Sequence, residues 1–198
     1  MQAICVFCGS KDGVRPEYAE AAAGLGRLLA QQRIRLIYGG SNVGLMRIIA
    51  DSCMKAGGEV IGVMPQMMAA KEIANHNVSK LHIVGTMHER KAMMADLADG
   101  FIAMPGGFGT FDELFEIVTW RQIGLHSKPI GLLNTCGFFE PLLRLADHAV
   151  AEGFVRPTDE TPLVSEPTPE ALLERLTNSA IAMRAAPVAA NATWTEAK

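Results

Sequence analysis

The chain has 198 residues, with 18 Lys and Arg against 21 Asp and Glu, so its formal net charge is −3 at neutral pH. Nearly half of the residues (49%) are apolar and 19 are glycine. This length suits one domain with a sizeable core, and the composition excludes disordered, collagen-like and disulfide-scaffold proteins. Because the charge is nearly balanced and Lys and Arg form no runs, neither nucleic acid nor an anionic membrane is expected as the main partner.

Short apolar runs alternate with segments of helical periodicity along the whole chain. In chain order the predicted elements are strand Ala3–Phe7, a helix from Pro16, strand Ile34–Tyr38, helix Gly44–Lys55, strand Val60–Met64, an irregular stretch over 66–80 that forms a lid or a short helix, strand Leu81–Val84, helix Met87–Leu97, strand Phe101–Met104, helix Thr110–Ile123, strand Ile130–Leu133, helix Phe139–Ala151, edge strand Pro162–Val164 and helix Pro169–Met183. Continuous apolar strands between helices predict an α/β fold, a Rossmann-like doubly wound parallel sheet flanked by helices. We expect a single domain over residues 1–184 and a flexible tail over 185–198.

The four cysteines are expected to be buried thiols of a cytoplasmic protein. The N-terminus lacks the basic segment of a signal peptide, and no apolar stretch approaches the roughly 18 residues that span a membrane. Cys5 and Cys8 have the C-x-x-C spacing of redox pairs and zinc sites. However, residues three apart in a strand face opposite sides, and no second Cys or His pair follows at zinc-finger spacing. We therefore expect no metal site and no cofactor.

Three predicted strands end in glycine-rich turns, at Gly9-Ser10, Gly39-Gly40-Ser41 and Pro105-Gly106-Gly107. In parallel α/β sheets ligands bind beyond the carboxyl ends of the strands, so these turns should surround the site. The chain lacks the G-x-x-x-x-G-K-[ST] motif of P-loop NTPases, and no G-x-G-x-x-G motif follows a strand. A P-loop NTPase and a dinucleotide-dependent dehydrogenase are therefore not supported.

The segment Met104–Glu113 is the most informative part of the sequence. A buried strand runs into three glycines and then into a helix, which is how a chain presents free backbone amides to a phosphate. The role of Glu113 stays open at this point. Thr110-Phe111-Asp112-Glu113 fits a capping box, whereas a carboxylate beside a phosphate site also suits a role in catalysis.

Arg90 and Lys91 lie near the start of the helix Met87–Leu97. Two adjacent cations there oppose the helix dipole, and an anionic ligand would compensate for this. The alternative is a solvated basic turn.

The pattern Pro105-Gly106-Gly107-x-Gly109-Thr110-x-x-Glu113, with Met87-His88-x-Arg90-Lys91, resembles the LOG family of cytokinin riboside 5′-monophosphate phosphoribohydrolases. The resemblance covers about residues 3–155 and includes Cys8-Gly9-Ser10, Tyr38-Gly39-Gly40, Gly44-Leu45-Met46, Gly58-Glu59-Val60-Ile61-Gly62 and Thr119-Trp120. The family often reads Y-G-G-G-x-x-G-L-M-G, and here Ser41 and Arg47 replace two of those glycines. These two departures put the substrate preference in doubt more than the reaction class.

The resemblance implies hydrolysis of the N-glycosidic bond of a purine nucleoside 5′-monophosphate, AMP or an N6-substituted AMP. The products would be the free base and ribose 5-phosphate. It implies that Arg90 and Glu113 are catalytic, that no cofactor or metal takes part, and that the protein is a homodimer with helix Met87–Leu97 near the interface. The implied substrate-binding residues are Gly9, Ser10, Gly39, Gly40, Glu72, Met87, Arg90, Lys91, Gly106, Gly107, Phe108, Gly109, Thr110, Asp112 and Thr119. The alternative is a non-catalytic nucleotide-binding or carrier module with the same phosphate loop.

Overall fold

A computed structural model of the chain describes residues 1–69, 73–155 and 163–185. The elements are β1 (Ala3–Phe7), α1 (Pro16–Gln31), β2 (Arg35–Tyr38), α2 (Gly44–Lys55), β3 (Val60–Pro65), α3 (Gln66–Ala69), β4 (Lys80–Val84), α4 (Met87–Leu97), β5 (Gly100–Ala103), α5 (Phe108–Gln122), β6 (Ile130–Leu133), a 3₁₀ turn (Thr135–Gly137), α6 (Glu140–Ala151), β7 (Leu163–Glu166) and α7 (Pro169–Ala185). The 66–80 stretch thus contributes the short helix α3, with residues 70–72 outside the described part. The predicted tail, apart from Ala185, also lies outside it.

The seven described strands form one parallel sheet in the order β4-β3-β2-β1-β5-β6-β7. This confirms the predicted Rossmann-like doubly wound sheet. The chain leaves β1 toward β2 on one side and later returns beside it as β5, so the switch point lies between β1 and β5. The edge strand is confirmed at β7, while Pro162 lies outside the described residues.

The two faces of the sheet bury separate cores. Residues of α1, α2 and α7 cover one face, and residues of α4, α5 and the segment before α6 cover the other. Cys8 belongs to the first core and Cys5 to the second, which confirms that they face opposite sides. All four cysteines are free, and Cys136 is exposed because it lies in the turn after β6 with a φ of 55°. The expectation that every cysteine is buried was therefore wrong for Cys136.

No helix in the described part of the chain is both long enough and apolar enough to cross a membrane.

Candidate active site

The carboxyl ends of β1 and β5 meet through glycine backbone. The Gly9 amide donates to the Pro105 carbonyl oxygen at 3.1 Å. A Cβ on Gly106 would lie 2.1 Å from Oγ1 of Thr110 and 2.9 Å from the Gly9 nitrogen, so no larger residue fits. The two turns are therefore packed main chain against main chain, as the glycine pattern predicted.

The N-terminus of α5 opens onto the cleft without a side-chain cap. The helix begins at Phe108, after Gly107 at the N-cap position. A Cβ at Gly107 or Gly109 would meet no atom within 4 Å, and neither glycine has a left-handed φ. Because neither packing nor backbone conformation requires glycine at these two positions, their lack of a side chain serves to keep space open beside the first amides of the helix.

A cavity of about 320 Å³ lies at this helix terminus, within the size range of small-ligand sites. It is lined by Cys8, Ser10, Met46, Met68, Met87, Arg90, Gly107, Phe108, Gly109, Thr110, Asp112 and Glu113. A second cavity of about 360 Å³ borders the same turn and shares Ser10 and Gly107 with the first. Its other walls include Tyr18 and Phe138.

An ion pair between Arg90 and Glu113 forms the floor of the first cavity. Nη1 of Arg90 donates to Oε1 of Glu113 at 2.7 Å, and both side chains are only 10% exposed. Nε of Arg90 donates to the Val63 carbonyl oxygen at 3.1 Å. The guanidinium also lies directly against Gly39, where a Cβ would be 2.0 Å from Nη2. Three elements therefore hold this arginine in one orientation toward the glutamate.

The Glu113 carboxyl is electrostatically unusual. Burial raises its pKa above the ordinary value, and Asp112 raises it further, whereas Arg90 and, more weakly, Lys91 lower it. A carboxyl with a raised pKa, next to a cation in a cleft, is typical of a catalytic acid, base or charge stabiliser.

The capping-box interpretation of Glu113 is wrong. The helix begins at Phe108, two residues earlier than predicted, so Thr110 lies inside its first turn, and no side chain caps its terminus. Thr110 is buried because it packs against Gly106. The Glu113 carboxylate points to Arg90 instead of back to the start of the helix.

The start of α4 is not a solvated basic turn. The charges of Arg90 and Lys91 are compensated by other residues of the chain, so they do not require an external anion. Oγ1 of Thr86 accepts from the Glu89 amide at 3.1 Å, and Oε2 of Glu89 accepts from the Gly85 amide at 2.8 Å. Arg90 is paired as described above, and Lys91 is paired with carboxylates of α5. The sequence argument for an anionic ligand at these cations therefore does not hold, because α5 supplies the negative charges.

Most of the predicted site residues come together at this edge of the sheet. Gly9, Ser10, Met87, Arg90, Asp112, Glu113 and the 106–110 segment line one or both cavities. Gly39 packs against Arg90, and Gly40 has a left-handed φ of 75° in the turn after β2. Thr119 lies elsewhere, in a groove between α5 and α6, where its hydroxyl donates to the Phe115 carbonyl oxygen at 2.7 Å. Glu72 lies outside the described residues.

The structure adds residues that the sequence argument missed. Cys8, Met46 and Met68 line the first cavity, and Glu116 binds Lys91. Met46 belongs to the quoted Gly44-Leu45-Met46 motif, so its spacing offered a signal, whereas Met68 offered none. Phe115 is 47% exposed and lines the groove between α5 and α6.

Neither lysine chemistry nor a bound metal is indicated in the described part of the chain. The ammonium of Lys128 donates to the Ala95 carbonyl oxygen at 2.7 Å, and this lysine precedes β6 at the amino end of the sheet. Among the described residues, no lysine lines the first cavity. The residues described contain no group of three His, Cys, Asp or Glu side chains that could hold a metal ion.

Comparisons with known proteins identify relatives of this chain. A family model described as "Possible lysine decarboxylase" matches residues 46–176. The cytokinin riboside 5′-monophosphate phosphoribohydrolases LOG7 and LOG2 of Arabidopsis thaliana are 46% and 47% identical to this chain over 173 residues. These alignments cover 87% of this chain and 80% and 81% of the two relatives. The probable phosphoribohydrolase LOGL2 of Oryza sativa subsp. japonica is 46% identical over 87% of this chain and 71% of its own length.

Solved structures share the fold at low sequence identity. The molybdenum cofactor binding protein of Rippkaea orientalis has a TM-score of 0.68 and 24% identity, covering 89% of this chain and 96% of that one. The Moco carrier protein of Chlamydomonas reinhardtii has a TM-score of 0.68 and 18% identity, covering 91% and 98%. These two matches show the fold, whereas the plant sequences, at 46–47% identity over most of both chains, show the family. The chain belongs to the LOG family, the family of the cytokinin riboside 5′-monophosphate phosphoribohydrolases.

Proposed function

We propose that this protein hydrolyses the N-glycosidic bond of purine nucleoside 5′-monophosphates. The substrate is AMP or an N6-substituted AMP of the cytokinin type, and the products are the free base and ribose 5-phosphate. The relatives' names support the reaction class. The observation that carries the proposal for this chain is the buried Arg90–Glu113 pair, in the same cavity as an uncapped helix terminus.

The two halves of the cavity suit the two ends of a ribose 5-phosphate unit. The amides at the start of α5 carry a partial positive charge that suits the phosphate. Glu113, in the second turn of the same helix, would then lie beside the ribose. Gly106, Gly107, Phe108, Gly109 and Thr110 form the proposed phosphate loop, and we assign the remaining substrate contacts to the family positions Gly9, Ser10, Gly39, Gly40, Glu72, Met87 and Asp112. Thr119 and Lys91 receive no such assignment within this chain, because Thr119 lines the groove between α5 and α6 and Lys91 is paired with carboxylates of α5.

The chemistry that this pair supports is stabilisation of positive charge on the sugar. As the bond between C1′ and the base breaks, the ribose becomes oxocarbenium-like. An ionised Glu113 stabilises that charge and can orient or activate the water that attacks C1′. Arg90 lowers the pKa of this carboxyl against the larger, opposite effect of burial, and its hydrogen bond holds the carboxylate in place. Arginine is too basic to serve as the acid that protonates the leaving base.

The proposal is tested by incubating the purified protein with AMP and with isopentenyl-AMP and following free base by chromatography. Both the base and ribose 5-phosphate should appear in equal amounts. Nucleotide binding without release of base would overturn the hydrolase proposal in favour of a carrier.

Glu113→Gln is the matched variant for the active site, since it keeps the shape of the side chain and removes its charge. Turnover should be lost while AMP binding, measured by calorimetry, is largely retained. Full activity of Glu113→Gln would remove Glu113 from the catalytic assignment.

We also propose that the protein is a homodimer that pairs through α5 and α6. Among the described residues, an apolar groove of about 400 Å³ runs between these helices, and α6 has no buried residue although it is strongly amphipathic. Leu145 and Phe115 are 60% and 47% exposed there. A second copy would cover this face, so we propose an interface on α5 and α6 rather than on α4. Light scattering should report a dimer, and Leu145→Glu should shift it to the monomer.

A cytoplasmic location is proposed on the state of the cysteines. All four are free, three of them in the core. Free thiols are typical of reducing compartments, and fractionation of cells that express the protein tests this directly.

A further inference from the structure

Lys91 lies between α4 and two carboxylates of α5. Its ammonium is 3.2 Å from Oδ2 of Asp112 and 2.9 Å from Oε1 of Glu116. The Lys91 side chain is only 11% exposed, whereas Asp112 and Glu116 are 62% and 22% exposed. Lys91 does not line the cavity that contains Arg90 and Glu113. Its charge is thus directed to the neighbouring helix rather than to the cavity.

The two carboxylates stand on either side of Glu113 in the helix. Asp112 and Glu116 are four residues apart, so they lie on one face of α5 and can both pair with a single ammonium. Glu113 follows Asp112 directly and faces the adjacent residue of α4, Arg90. The described ion pairs between α4 and α5 therefore form two parallel links, one at Arg90–Glu113 and one at Lys91.

We propose that Lys91 and Glu116 are positioning residues, which fix α5 against α4 so that the Glu113 carboxylate meets Arg90 and the ribose at the correct distance. This inference rests on the proposed hydrolase function. It deepens that function by assigning a role to Glu116 and by giving Lys91 a role that is distinct from direct contact with the substrate.

The physical basis of the proposal is geometric. Glu113 is held through Oε1 by one 2.7 Å bond, and its helix has a glycine at the N-cap position and no side-chain cap. Without the ion pairs of Lys91, the first turns of α5 lose an attachment to α4. Because Lys91 is largely buried, this attachment should contribute more than an exposed ion pair does. A displacement of about 1 Å at a catalytic group can cost on the order of 100-fold in rate, while a backbone phosphate loop still binds its anion.

The test is a double-mutant cycle with Lys91→Met, Glu116→Gln and the double variant, measured for kcat and KM with AMP and for the affinity of ribose 5-phosphate. We expect kcat to fall roughly 10- to 100-fold in Lys91→Met, and less in Glu116→Gln, because Asp112 remains. The affinity for ribose 5-phosphate should stay within about two-fold. Because both residues act through one link, the double variant should be no slower than Lys91→Met alone.

A conservative variant and a matched control separate this role from general destabilisation. Lys91→Arg, which keeps the charge, should recover most of the kcat that Lys91→Met loses. Glu59→Gln breaks an exposed 2.9 Å pair with Arg35, away from the cleft, and should leave kcat unchanged. Thermal unfolding of every variant reports whether the fold is intact.

Two results would overturn the proposal while leaving the hydrolase function intact. One is a rise in KM and a loss of ribose 5-phosphate affinity in Lys91→Met with kcat unchanged, which would make Lys91 a substrate contact. The other is an additive loss in the double variant, which would mean that the two residues act independently. If the wild-type protein releases no base, the hydrolase function itself fails.

Discussion

Gly39→Ala should displace Arg90 and so separate the proposed catalytic pair, Arg90 and Glu113, without disturbing the backbone. The added Cβ would lie 2.0 Å from Nη2 of Arg90, whereas non-bonded carbon and nitrogen atoms pack at about 3.5 Å. The guanidinium must therefore move by roughly 1–1.5 Å. The Nη1–Oε1 distance to Glu113 is 2.7 Å, and hydrogen bonds of this type weaken beyond about 3.2 Å, so a shift of this size breaks the bond.

The expected loss of stability follows from the hydrogen bond between Arg90 and Glu113. Glu113 is buried, and a hydrogen bond to a charged group contributes about 1.5–3 kcal/mol. A loss of about 2 kcal/mol lowers the midpoint of thermal unfolding by roughly 4–8 °C in a chain of this size. A misplaced catalytic group adds a loss on the order of 100-fold in turnover.

Circular dichroism during heating and chromatography of released base measure the two effects. Gly24→Ala is the matched control, because its Cβ would meet only Cγ of Pro169, at an ordinary 3.6 Å. Alanine there should stabilise the interior of α1 by about 0.8–1.0 kcal/mol and leave turnover unchanged. If Gly39→Ala keeps both its unfolding midpoint and its turnover, Arg90 is not confined against Gly39. A lower midpoint with normal turnover would limit Arg90 to a structural role.

The remaining predictions concern the phosphate loop, pH and Lys128. Gly107→Ala should leave thermal unfolding unchanged, because its Cβ meets nothing within 4 Å; calorimetry should show weaker binding of both AMP and ribose 5-phosphate, and unchanged affinity would remove the loop from phosphate binding. Turnover should rise with pH through the raised pKa of Glu113, because the ionised form is the active one. The free energy of unfolding should change in the opposite direction. The stabilisation that comes from the protonated Glu113 carboxyl is fully present below the ordinary glutamate pKa, and it is lost as pH rises through the raised pKa of the folded protein. Glu113→Gln should flatten this part of the stability profile in chemical denaturation, and a profile identical to wild type would contradict the assignment. Lys128→Met should retain base release, since Lys128 binds the end of α4, and loss of activity with normal folding would reopen a catalytic role for this lysine.

The strands along the chain could be predicted because each central strand is a continuous apolar run. Both faces of β1 are buried, so every residue from Ala3 to Phe7 is apolar. The glycine-rich turns could also be predicted, because glycine is needed where the main chains at Gly9 and Gly106 pack against each other. The environment of Arg90 could not be predicted, because its partners come from the turn after β2, from β3 and from α5, which are far apart in the sequence.

The start of α5 was misjudged for a related reason. Thr110 looks like an N-cap residue by type and spacing, but Gly106 leaves room for its side chain to pack inside the first turn. The helix therefore extends back to Phe108, and Glu113 moves from the capping position to the second turn. The packing of Thr110 against Gly106 excludes the capping box, and the spacing of the sequence alone does not reveal that packing.

The charges at the contact of α4 and α5 also explain why the loop needs its glycines. Two cations there, Arg90 and Lys91, face three carboxylates, Asp112, Glu113 and Glu116. This cluster has no positive charge to spare for a phosphate dianion. In the proposed site, recognition of the phosphate would then rest mainly on the uncapped amides and the dipole of α5, which act only at close range. Gly107 and Gly109 leave that approach open, and in the proposed site they would take the role that a lysine takes in P-loop proteins.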